Sequence, residues 1–426
     1  PYYTYAKTVL WLQLGFGRIA GVGDLRAGLS ACRNAYLLAG RMRNSALQIN
    51  ASIISVLGLA VAGEFAEADR ILERTGRLGG GASHPEYRAL QNLVRTELAL
   101  YRGELERVRR YLDLAREDIE KYSLLFLYPA LIDVSGLLEI YLRRYEEANA
   151  VARHLSEVAI LSGNPRCEAL ALRLQGMTCY HRGRFNQAYE LTREALRRLE
   201  KSSRGDMHLL RTRLQLGLIC HHLGKRRRAE RELHDVLERF RRATCHISVC
   251  ETHLALALSG GDSTDRRETR RHLAQGLQIA AEKAYSHFVV LRPEDIIRAC
   301  SLAVELKLKP QGTYAAELLR HQRVAEKTPP RPDISSDASP AAQTVAMKTK
   351  QYRRQLRQTR LDPLEIRTLG GFQVLRAGHV PISGREWAGS RPRLLLKAIL
   401  VHGGRDVPRD VLIEDLWPES RPQAAE

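Results

Sequence analysis

One spacing constrains this chain more than any other feature. A glycine, a polar residue and an aromatic or leucine recur as Gly23-Asp24-Leu25, Gly63-Glu64-Phe65, Gly103-Glu104-Leu105 and Gly183-Arg184-Phe185. Arg143-Arg144-Tyr145 and Gly224-Lys225-Arg226 are variant copies, so successive starts lie 40, 40, 40, 40 and 41 residues apart. Five residues after each start stands a small or apolar residue: Gly28, Ala68, Val108, Ala148, Ala188 and Ala229. Gly136, Gly176 and Gly217 fall seven residues before three of the starts. Such a unit is a helix hairpin. The turn glycine takes the left-handed conformation that ends the first helix. The aromatic anchors the second helix, and the small residues let the two backbones approach. A hairpin of this size buries its apolar face only against its neighbours, so repetition yields a solenoid.

The Gly, Gly, aromatic and Ala positions resemble the tetratricopeptide repeat, whose unit is about 34 residues. Forty residues per unit implies helices about a turn longer. Long units of this kind resemble those of the MalT-like, signal-integrating transcription activators. The resemblance covers residues 1–325 and implies a mainly α protein, a right-handed α-solenoid of tetratricopeptide-like hairpins. A degenerate seventh unit is expected around residues 263–284, with helices near 296–323 capping the stack.

Two residues before the starts stand Gly21, Val61, Tyr101, Tyr141, His181 and His222. In the tetratricopeptide family this position faces the concave groove. With the flanking Tyr180 and His221, the last four would line a wall suited to a polar ring-bearing ligand or an extended peptide. Ordinary packing between helices is the alternative. Glu97, Asp133 and Arg173 are expected near the same face.

Residues 325–343 carry four prolines among Ser and Asp and cannot bury enough surface to fold, so 326–361 reads as a linker and a basic segment. In that segment Lys348, Lys350, Arg353, Arg354, Arg357 and Arg360 have no acid among them. They read as a solvated helix or as an arm against phosphates. Residues 362–426 change period. Ile366 and Leu369, then Phe372 and Val374, then Val380 alternate as short strands, with turns at Gly370-Gly371 and Ala377-Gly378. A basic helix over 391–402, a Gly403-Gly404 turn and a helix over 409–416 follow.

Ile366, Leu369, Gly370, Phe372, Val374, Gly378 and Trp387, followed by Gly404-Arg405, Val407-Pro408-Arg409 and Leu416-Trp417-Pro418, resemble an OmpR-type winged-helix domain. The SARP-type transcription factors carry the version nearest in pattern. The resemblance implies a small α+β DNA-binding head, here a partial winged helix. Its recognition helix, expected after Leu-Trp-Pro, is missing, because only eight residues follow. Arg353, Arg354, Arg391, Arg393, Lys397 and Arg409 are then the candidates for contacting the DNA backbone. Pro392 departs from the family pattern and is tolerable only in a first helical turn.

The formal charge of +19 and pI near 9.9 agree with a polyanionic partner. The seven cysteines have no C-x-x-C spacing and suit buried positions in a reducing cytoplasm. The longest apolar run, residues 51–63, is too short to span a bilayer. No metalloprotease, serine-hydrolase or P-loop motif appears, and "GFGRIAG" from Gly15 reads as helix packing rather than a phosphate loop. The chain therefore reads as a fragment of a bacterial transcription regulator, not an enzyme, with no metal or cofactor of its own. The MalT-like resemblance allows an ATP-binding domain upstream of Pro1. Expected partners are DNA, bound weakly and without sequence preference, and an inducer or peptide in the groove, with oligomerisation on activation. The alternative is a protein-interaction scaffold with no DNA-binding function.

Overall fold

The structure is a computed structural model and describes residues 2–78, 85–124, 127–162, 164–202, 207–260, 266–327, 365–367, 373–376, 380–381, 390–401 and 412. It divides into two units, residues 1–349 and 350–426.

The first unit is all helical. A first helix, α1 (Tyr2–Phe16), runs through a π-helical turn (Gly17–Val22) into α2 (Leu25–Arg41). Hairpins then follow: α3 (Ser45–Ala62) with α4 (Phe65–Gly76), α5 (Pro85–Arg102) with α6 (Leu105–Lys121), and α7 (Tyr128–Tyr141) with α8 (Tyr145–Ser162). The series continues with α9 (Pro165–His181) and α10 (Phe185–Ser202), α11 (Met207–His222) and α12 (Arg226–Arg242), and α13 (His246–Gly260) and α14 (Arg266–Lys283). Two further helices, α15 (Pro293–Glu305) and α16 (Gln311–Lys327), pack against α13 and α14 and end the stack. Except between α4 and α5, each helix packs on the next, and each first helix of a hairpin also touches the first helix of the following one, which is the pairing of an α-solenoid.

The expected turns are where the spacing places them. Gly23, Gly63, Gly103, Gly183 and Gly224 have φ between 69° and 87°, and Arg143 holds the same conformation at 58°. At Gly63 the Glu64 amide donates to Leu59 O and the Gly63 amide to Ala60 O, the paired bonds that close a helix C-terminus through a left-handed residue. Ala68, Val108, Ala148, Ala188 and Ala229 are fully buried. The upstream glycines mark close approaches: a Cβ at Gly176 would stand 2.7 Å from Thr192 Oγ1, and one at Gly217 2.6 Å from Leu233 Cδ2. At the "GFGRIAG" stretch, a Cβ on Gly15 would meet Cys32 Sγ at 2.5 Å, so this glycine serves packing of α1 on α2.

By length and composition α3 is apolar enough to cross a membrane, being longer than the apolar run inside it. Here it is a core helix, with Ile53, Val56 and Ala60 buried and α2, α4, α5 and α13 packed on it. All seven cysteines are buried and unpaired.

In the second unit, β1 (Glu365–Arg367), β2 (Gln373–Arg376) and β3 (Val380–Pro381) form an antiparallel sheet in the order β1-β2-β3. Ile366 pairs with Val374, and Leu375 with Pro381. A helix, α17 (Ser390–Val401), follows, with Pro392 in its first turn as the sequence requires. Arg393 on it is exposed and Lys397 half-buried. Arg391 lies in α17 with its side chain outside the described residues; Arg353, Arg354 and Arg409 lie outside them altogether, along with the basic arm and, apart from the helical Leu412, the expected helix over 409–416.

Candidate functional site

The first helices of the hairpins, α3, α5, α7, α9, α11 and α13, form the inner row. Their C-terminal ends carry the predicted column, and the structure lines it up. What covers that column is the chain itself. Between α14 and α15, residues 285–292 leave helical geometry and run along it, two residues to a repeat.

The contacts follow in order. Tyr285 Oη donates to Gly63 O at 3.0 Å, and its ring sits 5.5 Å from that of Phe65. His287 lies over Gly103 and meets the Tyr141 ring edge-on at 4.9 Å. Tyr141 Oη donates to the carbonyl of Val289, and the Val290 amide donates to the buried Glu251 carboxylate at 2.7 Å. Arg292 lies over the rings of Tyr180 and Phe185, 5.1 and 5.0 Å from their centroids. It chelates Asp295 through Nε and Nη2. Asp295 also accepts from Tyr180 Oη at 2.5 Å and faces His222 Nε2 at 3.0 Å. His222 stacks flat on Phe185 at 4.3 Å. Phe288, Val289, Val290 and Leu291 are all buried.

Tyr141, Tyr180 and His222 thus grip an internal strap. His181 is edge-on to both Tyr141 and Tyr180, and His221 neighbours His222. Tyr101 turns the other way, accepting from Arg211 of α11, whose Nη2 also reaches Val61 O at 3.5 Å. Cys245 Sγ donates to the same carbonyl at 2.9 Å, so the second and the later repeats meet across the inner face. Neither an open ligand wall nor plain helix packing describes the column.

The inner face is polar in a structured way. Arg173 binds both oxygens of Asp133 at 2.7 and 2.9 Å, and both residues are buried. Burial raises the Glu97 carboxyl to about 7, against the pull of Arg211. Burial holds the His181 imidazole down at about 3 and that of His287 at about 4, so both rings are neutral. At Asp295, burial pushes the carboxyl up, but the hydrogen bonds from His222 and Arg292 outweigh it and leave the group well below the usual carboxylate range. Arg173 Nε, Arg211 Nε, His181 Nε2 and His287 Nε2 are buried without a hydrogen-bond partner among the described residues.

On the outer surface, a cleft of ≈ 700 Å³ between α10 and α12 is lined by Leu191, Leu196 and Leu216 together with Arg197, Arg213 and Glu232.

No family model matches the chain, and no curated protein matches it. Among solved structures, the apo form of RapI resembles it at 13% identity and a TM-score of 0.42, over 70% of this chain and 97% of that one. The fold rests on the chain's own helices and turns. The strap was not anticipated. Its signal was present: Phe288-Val289-Val290-Leu291 is an apolar run too short for a helix, lying between two helical patterns and ahead of Pro293.

Proposed function

We propose that this chain is part of a bacterial transcription regulator, in which a helical-repeat unit senses a signal and a winged-helix head of the OmpR type contacts DNA. The observation that carries the reading is the second unit. Its three antiparallel strands in sequential order, followed by a basic helix, are the elements with which the resemblance has such a head begin. Arg393 and Lys397 on α17 would neutralise phosphates and position the head. Such contacts are strong at low salt and carry no sequence information. No catalytic step, metal or nucleotide enters this reading.

The test is a titration of the 426-residue chain against fluorescent duplexes of unrelated sequence at two salt concentrations. Weak binding that falls steeply with salt, and that falls further in Arg393→Glu and Lys397→Glu, is the expected result. Binding indifferent to both substitutions would remove DNA contact by α17.

A protein-interaction scaffold is the second reading, and one observation favours it. The inner face holds an extended segment by its backbone, at Val289 O and Val290 N, which is how a groove grips a peptide of loosely specified sequence. A partner segment would have to displace residues 285–292. A fluorescent peptide copying residues 284–294 that binds the Tyr141→Ala chain no worse than the native one would exclude it.

A further inference from the structure

The outer layer carries a side-chain cluster that neither the strap nor the second unit uses. His234 of α12 and Glu268 and His272 of α14 converge on a surface cavity of ≈ 290 Å³, which Leu256 and Thr269 also line. Glu268 and His272 are one helical turn apart and share a face. Each of the three residues offers one ligand atom, and these atoms lie within 4.8 Å of one another. His272 is buried and is backed by a second buried imidazole, with His253 Nδ1 2.8 Å from His272 Nδ1.

We propose that His234, Glu268 and His272 bind a divalent transition ion of the zinc class. Two imidazoles and one carboxylate are the donors such ions select, whereas magnesium and calcium take oxygen sets. A tetrahedral zinc with bonds of about 2.0–2.2 Å sets its ligands about 3.3 Å apart. His234 and Glu268 are exposed and can close that remaining distance by rotating, while His272 stays fixed. Three protein ligands leave a coordination position for water or for an acidic group from a partner.

The ring protons link this site to two arginines. Arg241 Nη2 donates to His253 Nε2 at 3.1 Å, which puts the His253 proton on Nδ1, pointing at His272 Nδ1. His272 must then carry its own proton on Nε2, the atom a metal needs, where Arg271 Nη2 stands at 3.4 Å. Two neutral rings hold two protons, so the three contacts cannot all be hydrogen bonds. A metal on His272 Nε2 resolves the conflict. It displaces Arg271, moves the His272 proton to Nδ1, reverses the bond between the rings and releases exposed Arg241 to solvent. The backing histidine then accepts from the ligand, as partners of metal-bound imidazoles do.

Calorimetric titration of the chelator-treated chain with Zn²⁺, beside Mg²⁺, tests the proposal. One saturable Zn²⁺ site is expected, weakened about tenfold or more in both His234→Ala and Glu268→Gln, with no matching Mg²⁺ site. His234 is exposed, so its variant folds and decides the matter even where His272→Ala does not. Arg241→Met should tighten binding more than Arg242→Met, which makes the same charge change away from the rings. Unaltered Zn²⁺ affinity in His234→Ala and Glu268→Gln, or no saturable binding at millimolar Zn²⁺, overturns the site. Equal effects of the two arginine variants overturn the proton linkage.

Discussion

The inner and outer rows of helices share one repeat but sit in different solvents. In α13, on the inner row, thirteen consecutive residues from Ile247 to Ser259 are buried in a helix of 15. In α12, on the outer row, only Ala229, Leu233, Val236, Leu237 and Phe240 are buried in a helix of 17, on one clean face. A helix apolar all round is covered all round. The inner row has no wetted face, because the strap and the neighbouring helices cover the side that an open groove would wet, and the charged groups there are paired inside the protein. The outer row keeps its arginines in water. The same kind of interaction should therefore have different worth in the two rows.

The largest difference is expected for ion pairs. Asp133→Ala would leave the Arg173 guanidinium buried with nothing to compensate it, and loss of one partner of such a pair costs about 3–5 kcal/mol. Denaturant unfolding measures this directly. A loss under about 1 kcal/mol, the range of exposed pairs, would mean that water reaches the inner face.

Turn glycines give the next contrast. At Gly63, φ is +87° and an added Cβ would stand 2.1 Å from Tyr285 Oη. At Gly183, φ is +73° but nothing lies within 4 Å. Gly183→Ala should cost only the left-handed backbone term, roughly 1–2 kcal/mol. Gly63→Ala adds overpacking of roughly 1–3 kcal/mol against the strap. The excess should shrink when Gly63→Ala is combined with Tyr285→Phe, because the two sites share one contact. An unchanged excess in the double variant would place the crowding elsewhere.

Acid should loosen the inner row first. His181 and His287 have folded-state values near 3 and 4, below the ordinary 6.5. Their contribution is complete above 6.5 and is lost as pH falls from there toward 4 and 3. Glu97 is raised from 4.5 to about 7, so its contribution is complete below 4.5 and is lost as pH rises through 7. Urea midpoints measured across this range should fall on the acid side, and less so in His181→Phe. Glu97→Gln should flatten the loss toward pH 7. An acid limb unchanged in His181→Phe would mean that this ring is already hydrated.

The repeat turns, the packing glycines and the aromatic column were legible because each recurs every 40 residues and has a local physical cause. Three other features were not. The turns between hairpins also use left-handed residues, but these are Arg43, Ser123, Thr244 and Ala284, whose side chains give no hint of positive φ. The strap was hidden by distance, since Tyr285 and Gly63 are 222 positions apart and no repeat relates them. It also changed the meaning of the column: Tyr141 and Tyr180 have the aromatic character read from the sequence, but the backbone and carboxylate they hold are internal. The histidine cluster at His234 and His272 was hidden because its members sit on different hairpins, without metal-ligand spacing along the chain.

The smallest expected effect belongs to the outer row and completes the contrast. Arg226 Nε donates to Glu230 Oε1 at 2.8 Å, one turn along α12, with both side chains well exposed at 49% and 38%. The pair is as short as that of Arg173 and Asp133, so distance alone predicts equal worth. Its carboxylate, however, exchanges one set of water contacts for another, salt screens it, and two long side chains lose rotamer freedom in holding it. Glu230→Ala should therefore shift stability by less than about 0.5 kcal/mol, and by less still in high salt. Denaturant curves at low and high salt test this. A loss approaching that of Asp133→Ala would mean that the outer face of α12 is covered by a second protein or a second copy of the chain, and the contrast between the rows would vanish there.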